Sequence, residues 1–253
     1  GDPSEATWTE LTHNQPGSSQ TWASSGDIDL SGISGSAYIA FKYHYEPGSY
    51  RQWEVDNIFI REQATQLPYE QTFDDGLDDF ITYDVINEDL NWYWDEDYGA
   101  PEPCATMTGY NGQTDQETED WLITPALDFT GKENVRLTFS EAINYEDDVN
   151  GDNNVLVSTD YSGEGDPNNA TWQEVEVTGR TGGDSWNFIA PDPVDLSNFD
   201  GSTEVYIAFK YTSTDQSAGT WEVDNIVVEE APSESLTVTS PNGGEYWNRG
   251  TTK

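Results

Sequence analysis

Basic side chains are scarce: Lys and Arg together number 9, against 49 Asp and Glu, for a formal net charge of -40. Such a chain has no basic stripe to lay along phosphates, so nucleic acid and anionic membrane are excluded as partners. Cysteine is almost missing. Cys104 stands alone and forms no intrachain disulfide, so stability must come from core packing or from bound metal. No apolar run is long enough to span a bilayer, and no direct membrane insertion is expected. Hydrophobic residues make up only 34 % of the chain, yet aromatics reach 13 %, with 10 Trp and 14 Tyr. An acidic disordered chain would be poor in rings, whereas rings can fill a core when aliphatic side chains are few. The surplus of carboxylates keeps a surface solvated where salt screens its self-repulsion, and it attracts divalent cations. The first effect accounts for the total charge; dedicated cation sites account for particular clusters.

An internal repeat organises the chain. Gly1-Asp2-Pro3-Ser4-Glu5-Ala6-Thr7-Trp8 recurs as Gly165-Asp166-Pro167-Asn168-Asn169-Ala170-Thr171-Trp172. Tyr38-Ile39-Ala40-Phe41-Lys42-Tyr43 returns unchanged as Tyr206-Ile207-Ala208-Phe209-Lys210-Tyr211, and Trp53-Glu54-Val55-Asp56-Asn57-Ile58 as Trp221-Glu222-Val223-Asp224-Asn225-Ile226. Trp22 matches Trp186, and Asp29-Leu30-Ser31 matches Asp195-Leu196-Ser197. Residues 1–62 therefore read as the C-terminal half of a module whose complete copy is 63–231. Half a sandwich leaves strand edges and an apolar face open, so either further sequence or another chain is expected to complete it. Residues 232–253 read as a linker and the first strand of a further module.

The secondary structure is expected to be almost wholly β. Val135-Arg136-Leu137-Thr138-Phe139 and Thr203-Glu204-Val205-Tyr206-Ile207-Ala208-Phe209 alternate apolar and polar residues, as do Asn154–Ser158 and Trp172–Val177. Gly, Asp, Asn and Pro clusters punctuate these runs, and no segment holds a helical period. The fold class is thus all-β: a jelly-roll β-sandwich in one complete and one partial copy, plus a partial β module at the end.

Chemistry concentrates in Trp221–Val228. Trp221 and Val223 share one face at period two, but the apolar parity switches after Asp224-Asn225, so that Ile226 and Val228 become the inward pair. A β-bulge at Asp224-Asn225 explains the switch. A carboxylate at a bulge inside an apolar strand needs a partner, and with few basic residues Ca2+ is the expected one. Asn225 and the acids Glu70, Asp74 and Asp75 are candidate co-ligands, and Asp56 is the equivalent in the first copy. The competing reading is an Asp that caps backbone N–H groups at the bulge. A second cluster, Asp148, Asn150, Asp152 and Asn154, places an oxygen ligand at every second residue around Gly151. It has the spacing of half an EF-hand loop without the closing Glu, and an acidic turn without metal reads equally well.

Trp92, Tyr93, Trp94 and Tyr98 mix rings with acids in a candidate ligand-binding segment, because flat rings stack on sugar faces while Asp and Asn bond hydroxyls. Trp92 and Trp94 would share a face if the segment is extended; the alternative places at least one of them in the core. Trp172, Trp186 and Trp221 recur at fixed places and read as core. Catalysis has little support. His13 and His44 have no counterparts in the complete copy, no nucleophile elbow is present, and carboxylate pairs are too abundant to be informative.

Three groups of motifs carry a resemblance to known modules: Leu67-Pro68-Tyr69-Glu70-Gln71-Thr72-Phe73-Asp74-Asp75-Gly76-Leu77, Glu119-Asp120-Trp121-Leu122-Ile123-Thr124-Pro125-Ala126-Leu127-Asp128, and Val157–Tyr161 with Ala170–Trp172 and Trp221–Ile226. In order, these resemble the cleaved-adhesin and choice-of-anchor J modules of bacterial exported proteins, which are similar to MAM-like jelly rolls. Thr239-Ser240-Pro241-Asn242-Gly243-Gly244-Glu245 resembles the start of an Ig-like module. The resemblance implies structural calcium, a secreted or cell-surface location and a role without catalysis, with Asp224 and the acids near Glu70 as its metal ligands. The expected function is a binding or adhesion module for polysaccharide or a cell-surface ligand. The alternatives are a structural repeat that assembles with copies of itself and, more distantly, part of a secreted hydrolase.

Overall fold

Alternation in the sequence becomes strand wherever two apolar faces can be covered. The computed structural model describes residues 63–232 except Asp78, together with 5–15, 21–26, 28–33, 36–44, 46–48, 52–56, 58 and 60. The chain divides into two units, residues 1–60 and 61–253.

In the second unit the strands are β1 (Thr65–Gln66), β2 (Tyr69–Gln71), β3 (Ile81–Ile86), β4 (Tyr93–Asp95), β5 (Cys104–Thr108), β6 (Thr118–Ile123), β7 (Leu127–Asp128) and β8 (Val135–Asn144). A single-turn helix, α1 (Val149–Asp152), precedes β9 (Asn153–Ser158), β10 (Gln173–Glu174), β11 (Ser185–Ile189), β12 (Val194–Asp195), β13 (Tyr206–Ser213) and β14 (Thr220–Glu230). One sheet has five strands in the order β10-β9-β13-β6-β3. The other has seven, β11-β8-β14-β5-β4, with β12 beside β8 and β2 beside β14. All the pairings in these two sheets are antiparallel; the small β1–β7 pair is parallel. The architecture is a β-sandwich, as the alternation implies.

Between the sheets lies a core of Phe73, Trp92, Met107, Leu122, Leu137, Phe139, Ile143, Phe209, Tyr211, Trp221, Val223, Ile226 and their neighbours. Phe209 stacks at a tilt on Trp221 and edge-on to Phe139. A second cluster covers the other face of the five-stranded sheet, where Trp121, Ile123, Tyr206 and Ala208 meet Tyr161 and Trp172. Both faces of β6 and β13 are therefore buried, which is why Tyr206-Ile207-Ala208-Phe209 is apolar at every position.

The first unit departs from expectation. Among its described residues no strand is formed, and Tyr38, Ile39 and Phe41 are exposed where their twins Tyr206, Ile207 and Phe209 are buried. The reason is pairing: β13 is held between β6 and β9, and β14 between β8, β5 and β2. No copies of those partners occur within residues 1–62. Phe41 and Trp53 still meet edge-on, with ring centroids 6.0 Å apart. The Ig-like segment expected from 236 onward lies outside the described residues.

Candidate functional site

β14 crosses the middle of the seven-stranded sheet and positions the acids. Its register against β8 shifts between Asp224 and Val227, and Asn225 adopts a φ of 51°. The bulge inferred from parity is therefore present, and Ile226 and Val228 are buried in the core with Trp221 and Val223. Asp224 is buried on the opposite face. Its Oδ2 accepts the Ala100 N–H at 2.8 Å and its Oδ1 accepts the Asn225 N–H at 2.6 Å, while Asn225 Nδ2 donates to Ala100 O at 2.7 Å. Burial nevertheless pushes the Asp224 carboxyl above its ordinary value, with the Asp74 charge adding to the effect.

Beside Asp224, Tyr93, Thr106, Glu222 and Ala142 align across four strands on that same outer face. Glu222 is 3 % exposed, and burial followed by the Asp95 charge raises its carboxyl to about 7. Asp95 pairs with Cys104 across β4 and β5; burial pushes the Cys104 thiol up to about 12, which makes it inert at neutral pH.

The structure thus gathers Asp74, Asp224, Asn225, Tyr93 and Tyr98 of the residues expected to bind metal or ligand. Glu70 and Asp75 are exposed, with Glu70 opposite Val227, past the bulge. Asp56 belongs to the other unit. Asp148 caps α1 by accepting the Gly151 N–H at 3.1 Å, Asp152 accepts from Thr212 Oγ1 at 2.9 Å, and Asn154 Nδ2 donates to Asn150 O at 2.8 Å. That segment is a helical turn closed by its own side chains rather than a hairpin. Among the described residues no three His, Cys, Asp or Glu side chains converge as a metal cage. At the bulge, Asp224 Oδ1 accepts one backbone N–H, while Oδ2 accepts both the Ala100 N–H and, at 3.2 Å, Asn225 Nδ2.

Trp92 and Trp94 do share a face, but it is the inner one. Trp92 is 4 % exposed and packs on Trp221 with centroids 5.6 Å apart, whereas Trp94 stays 36 % exposed with its Nε1 donating to Phe73 O at 2.8 Å. Tyr93 and Tyr98 are exposed. Trp186, expected in the core, is 48 % exposed, because it sits on β11 at the edge of the sheet. It meets Tyr145, 73 % exposed, edge-on at 5.9 Å.

A cleft of about 660 Å³ has a lining that includes Asn150, Asn154, Glu174, Thr178, Arg180 and Thr181, and neither ring is part of it. The segments that carry the two rings are tied to each other, the Glu146 N–H donating to Gly183 O at 2.9 Å, and Thr181, two residues before Gly183, belongs to the cleft lining. Arg180 is pinned beneath it. Its Nε and Nη2 fork onto Glu141 at 3.0 and 2.7 Å, and Nη1 donates to Asn153 O and Val149 O. Trp221 Nε1 also donates to Glu141 at 3.0 Å, with the guanidinium over its ring. This buried pair is fully hydrogen-bonded, and that is what makes a buried charge tolerable. Sequence reading missed Arg180, since nothing local marks it, and missed Tyr145, an isolated Tyr at the end of a strand.

No family model and no curated protein matches the chain. Among solved structures, the chain is similar to the K1 cleaved adhesin domain of Lys-gingipain from Porphyromonas gingivalis W83, at 18 % identity over 65 % of this chain and 98 % of that one, with a TM-score of 0.45. The K2 cleaved adhesin domain of Lys-gingipain gives 16 % identity over 65 % and 99 %, with a TM-score of 0.46. The family 11 carbohydrate-binding module of the cellulosomal cellulase Lic26A-Cel5E of Clostridium thermocellum gives 13 % identity over 68 % and 100 %, with a TM-score of 0.42.

Proposed function

We propose that residues 63–231 form a non-catalytic carbohydrate-binding module of a protein that works outside the cell. The observation that carries this reading is the exposed Tyr145–Trp186 pair. The C–H faces of a sugar ring stack on exposed aromatic faces such as these. In the cleft, Asn150, Asn154, Thr178 and Thr181 offer the donors and acceptors that hydroxyl groups require. Arg180 is neutralised by Glu141, and the chain carries a net charge of -40. The favoured ligand is therefore a neutral polysaccharide rather than an acidic one. The extracellular setting rests on the resemblance of Glu119–Asp128 and Trp221–Ile226 to exported modules.

Calcium is proposed at the β14 bulge, with Asp224 and Asp74 as its carboxylates and Asn225 beside them. A bound ion there would neutralise the acids that burial and mutual repulsion leave unfavourable.

Binding of the full chain to a glycan array and to insoluble neutral polysaccharides tests the sugar reading. Trp186→Ala and Tyr145→Ala are each expected to weaken binding by roughly tenfold, the loss of one to two kcal/mol per stacked ring. Tyr98→Ala is expected to leave it unchanged. A second reading, a structural repeat that assembles with copies of itself, draws on the exposed Tyr38, Ile39 and Phe41. Filaments in the preparation with no glycan bound would select that reading and discard the first. Turnover of a polysaccharide by this chain would discard both.

A further inference from the structure

Asp120 is 0 % exposed, and neither of its carboxylate oxygens has a hydrogen-bond partner. Its direction follows from parity. Trp121 and Ile123 belong to the outer cluster and Leu122 to the inner core, so Asp120 faces inward. On the adjacent strand, Asp84 is directly opposite. Ile81, Tyr83 and Val85 pack on the outer cluster, so Asp84 also faces inward, and its carboxyl lies within hydrogen-bonding reach of Asp120. The Asn91 carboxamide completes the group, with one terminal atom 2.5 Å from both Asp84 oxygens. Turned one way, that atom is a nitrogen donating to Asp84; turned the other, it is a further oxygen facing the carboxylates.

Asp120 is fully buried and without a donor, while Asp84 is half-buried with only the Asn91 amide to donate to it, and two carboxylates facing each other in this way are unfavourable. Burial first, and Asp84 second, raise the Asp120 carboxyl to about 9. Among the described residues no cation compensates: Lys210 pairs with Glu119 at 3.3 Å and lies over the ring of Trp121, on the other face of the sheet. Two carboxylates and a carboxamide oxygen supply up to about five hard oxygen ligands and the two negative charges that balance Ca2+. At the bulge, by contrast, the Asp224 oxygens already have backbone donors.

We infer that Asp84, Asp120 and Asn91 hold a calcium ion on the inner face of the β3–β6 pair. This site is separate from the bulge and from the sugar surface, and it stands if either of those fails. With the ion bound, the carboxylates are neutralised and the Asn91 loop is fastened to the five-stranded sheet. Without it, the same atoms would have to share a proton.

Calorimetric titration of the EDTA-treated full chain with calcium alone tests the assignment. Asp120→Asn is expected to remove one ion from the stoichiometry or to weaken it by roughly tenfold or more. Asp224→Asn is expected to leave that ion in place, so failure of the bulge site is read separately. Full wild-type stoichiometry and affinity in Asp120→Asn would overturn the inference. If Asp120→Asn does not fold, a wild-type crystal grown in millimolar calcium decides. An ion about 2.3–2.6 Å from an Asp120 oxygen is expected; the two carboxyls in direct contact with no ion between them would overturn the site.

Discussion

Glu222 lies on the outer face of β14, where alternation alone predicts solvent, yet it is buried between Thr106 and Ala142 on the neighbouring strands. Its carboxyl, raised from 4.5 to about 7 by burial and then by Asp95, binds more protons folded than unfolded across that interval. Stability from this group is therefore fully present below about 4.5 and is lost as pH rises through about 7. Glu146 is raised as well, burial again being the first cause, so its slope has the same sign. Thermal or urea unfolding between pH 5 and 8, two bounds bracketing about 7, should show stability declining with pH. Each proton contributes a slope of at most about 1.4 kcal/mol per pH unit. Glu222→Gln should flatten the curve, and an identical slope in wild type and variant would show that Glu222 does not titrate there. None of this was legible from the residue alone. Glu222 and its twin Glu54 sit in identical sequence, and only the strands packed beside Glu222 bury it.

At the scale of the element, β14 shows what sequence does encode. The parity switch between Val223 and Ile226 located the bulge, because two buried stretches on one strand can share a core only if one extra residue rotates the chain between them. The alternation also placed β8, β9 and β13. It could not distinguish calcium from capping at Asp224, since both place an Asp in the same spot; the Ala100 N–H that it accepts lies 124 residues away. Nor could it reveal Asp84 and Asp120 as partners, because cross-strand register is decided by packing of the whole sheet. The bulge makes a local prediction. Asn225 holds a φ of 51°, in the left-handed region that β-branched residues avoid. Asn225→Val should cost about 2–4 kcal/mol in urea unfolding, combining backbone strain with the lost bond to Ala100 O. Asn225→Gly keeps the backbone and should cost only about 1 kcal/mol. Equal losses in the two variants would show that the side-chain bond, and not the backbone conformation, is what the position requires.

For the whole molecule, identical sequences have opposite fates in the two units. Tyr206–Tyr211 is a buried central strand because β6 and β9 flank it, whereas Tyr38, Ile39 and Phe41 in the first unit remain exposed. The repeat matches the two copies residue by residue, but burial is a property of neighbours, and those cannot be read from the strand itself. Charge is the property that belongs to the molecule rather than to any strand. With 49 acids and 9 bases, few carboxylates can be paired, and Lys132–Glu230, Arg136–Glu229, Arg180–Glu141 and Lys210–Glu119 are the ion pairs among the described residues. The rest repel one another across a surface where water weakens but does not abolish the effect. Raising ionic strength from about 0.01 to 1 M shortens the screening length from about 30 to 3 Å, which removes repulsion from the folded state, where the charges are closest, more than from the unfolded one. The midpoint of thermal unfolding should therefore rise steadily with sodium chloride, in the presence of EDTA so that bound calcium does not contribute. A midpoint that falls or stays flat over this range would mean that repulsion among the surface acids does not limit the stability of the fold.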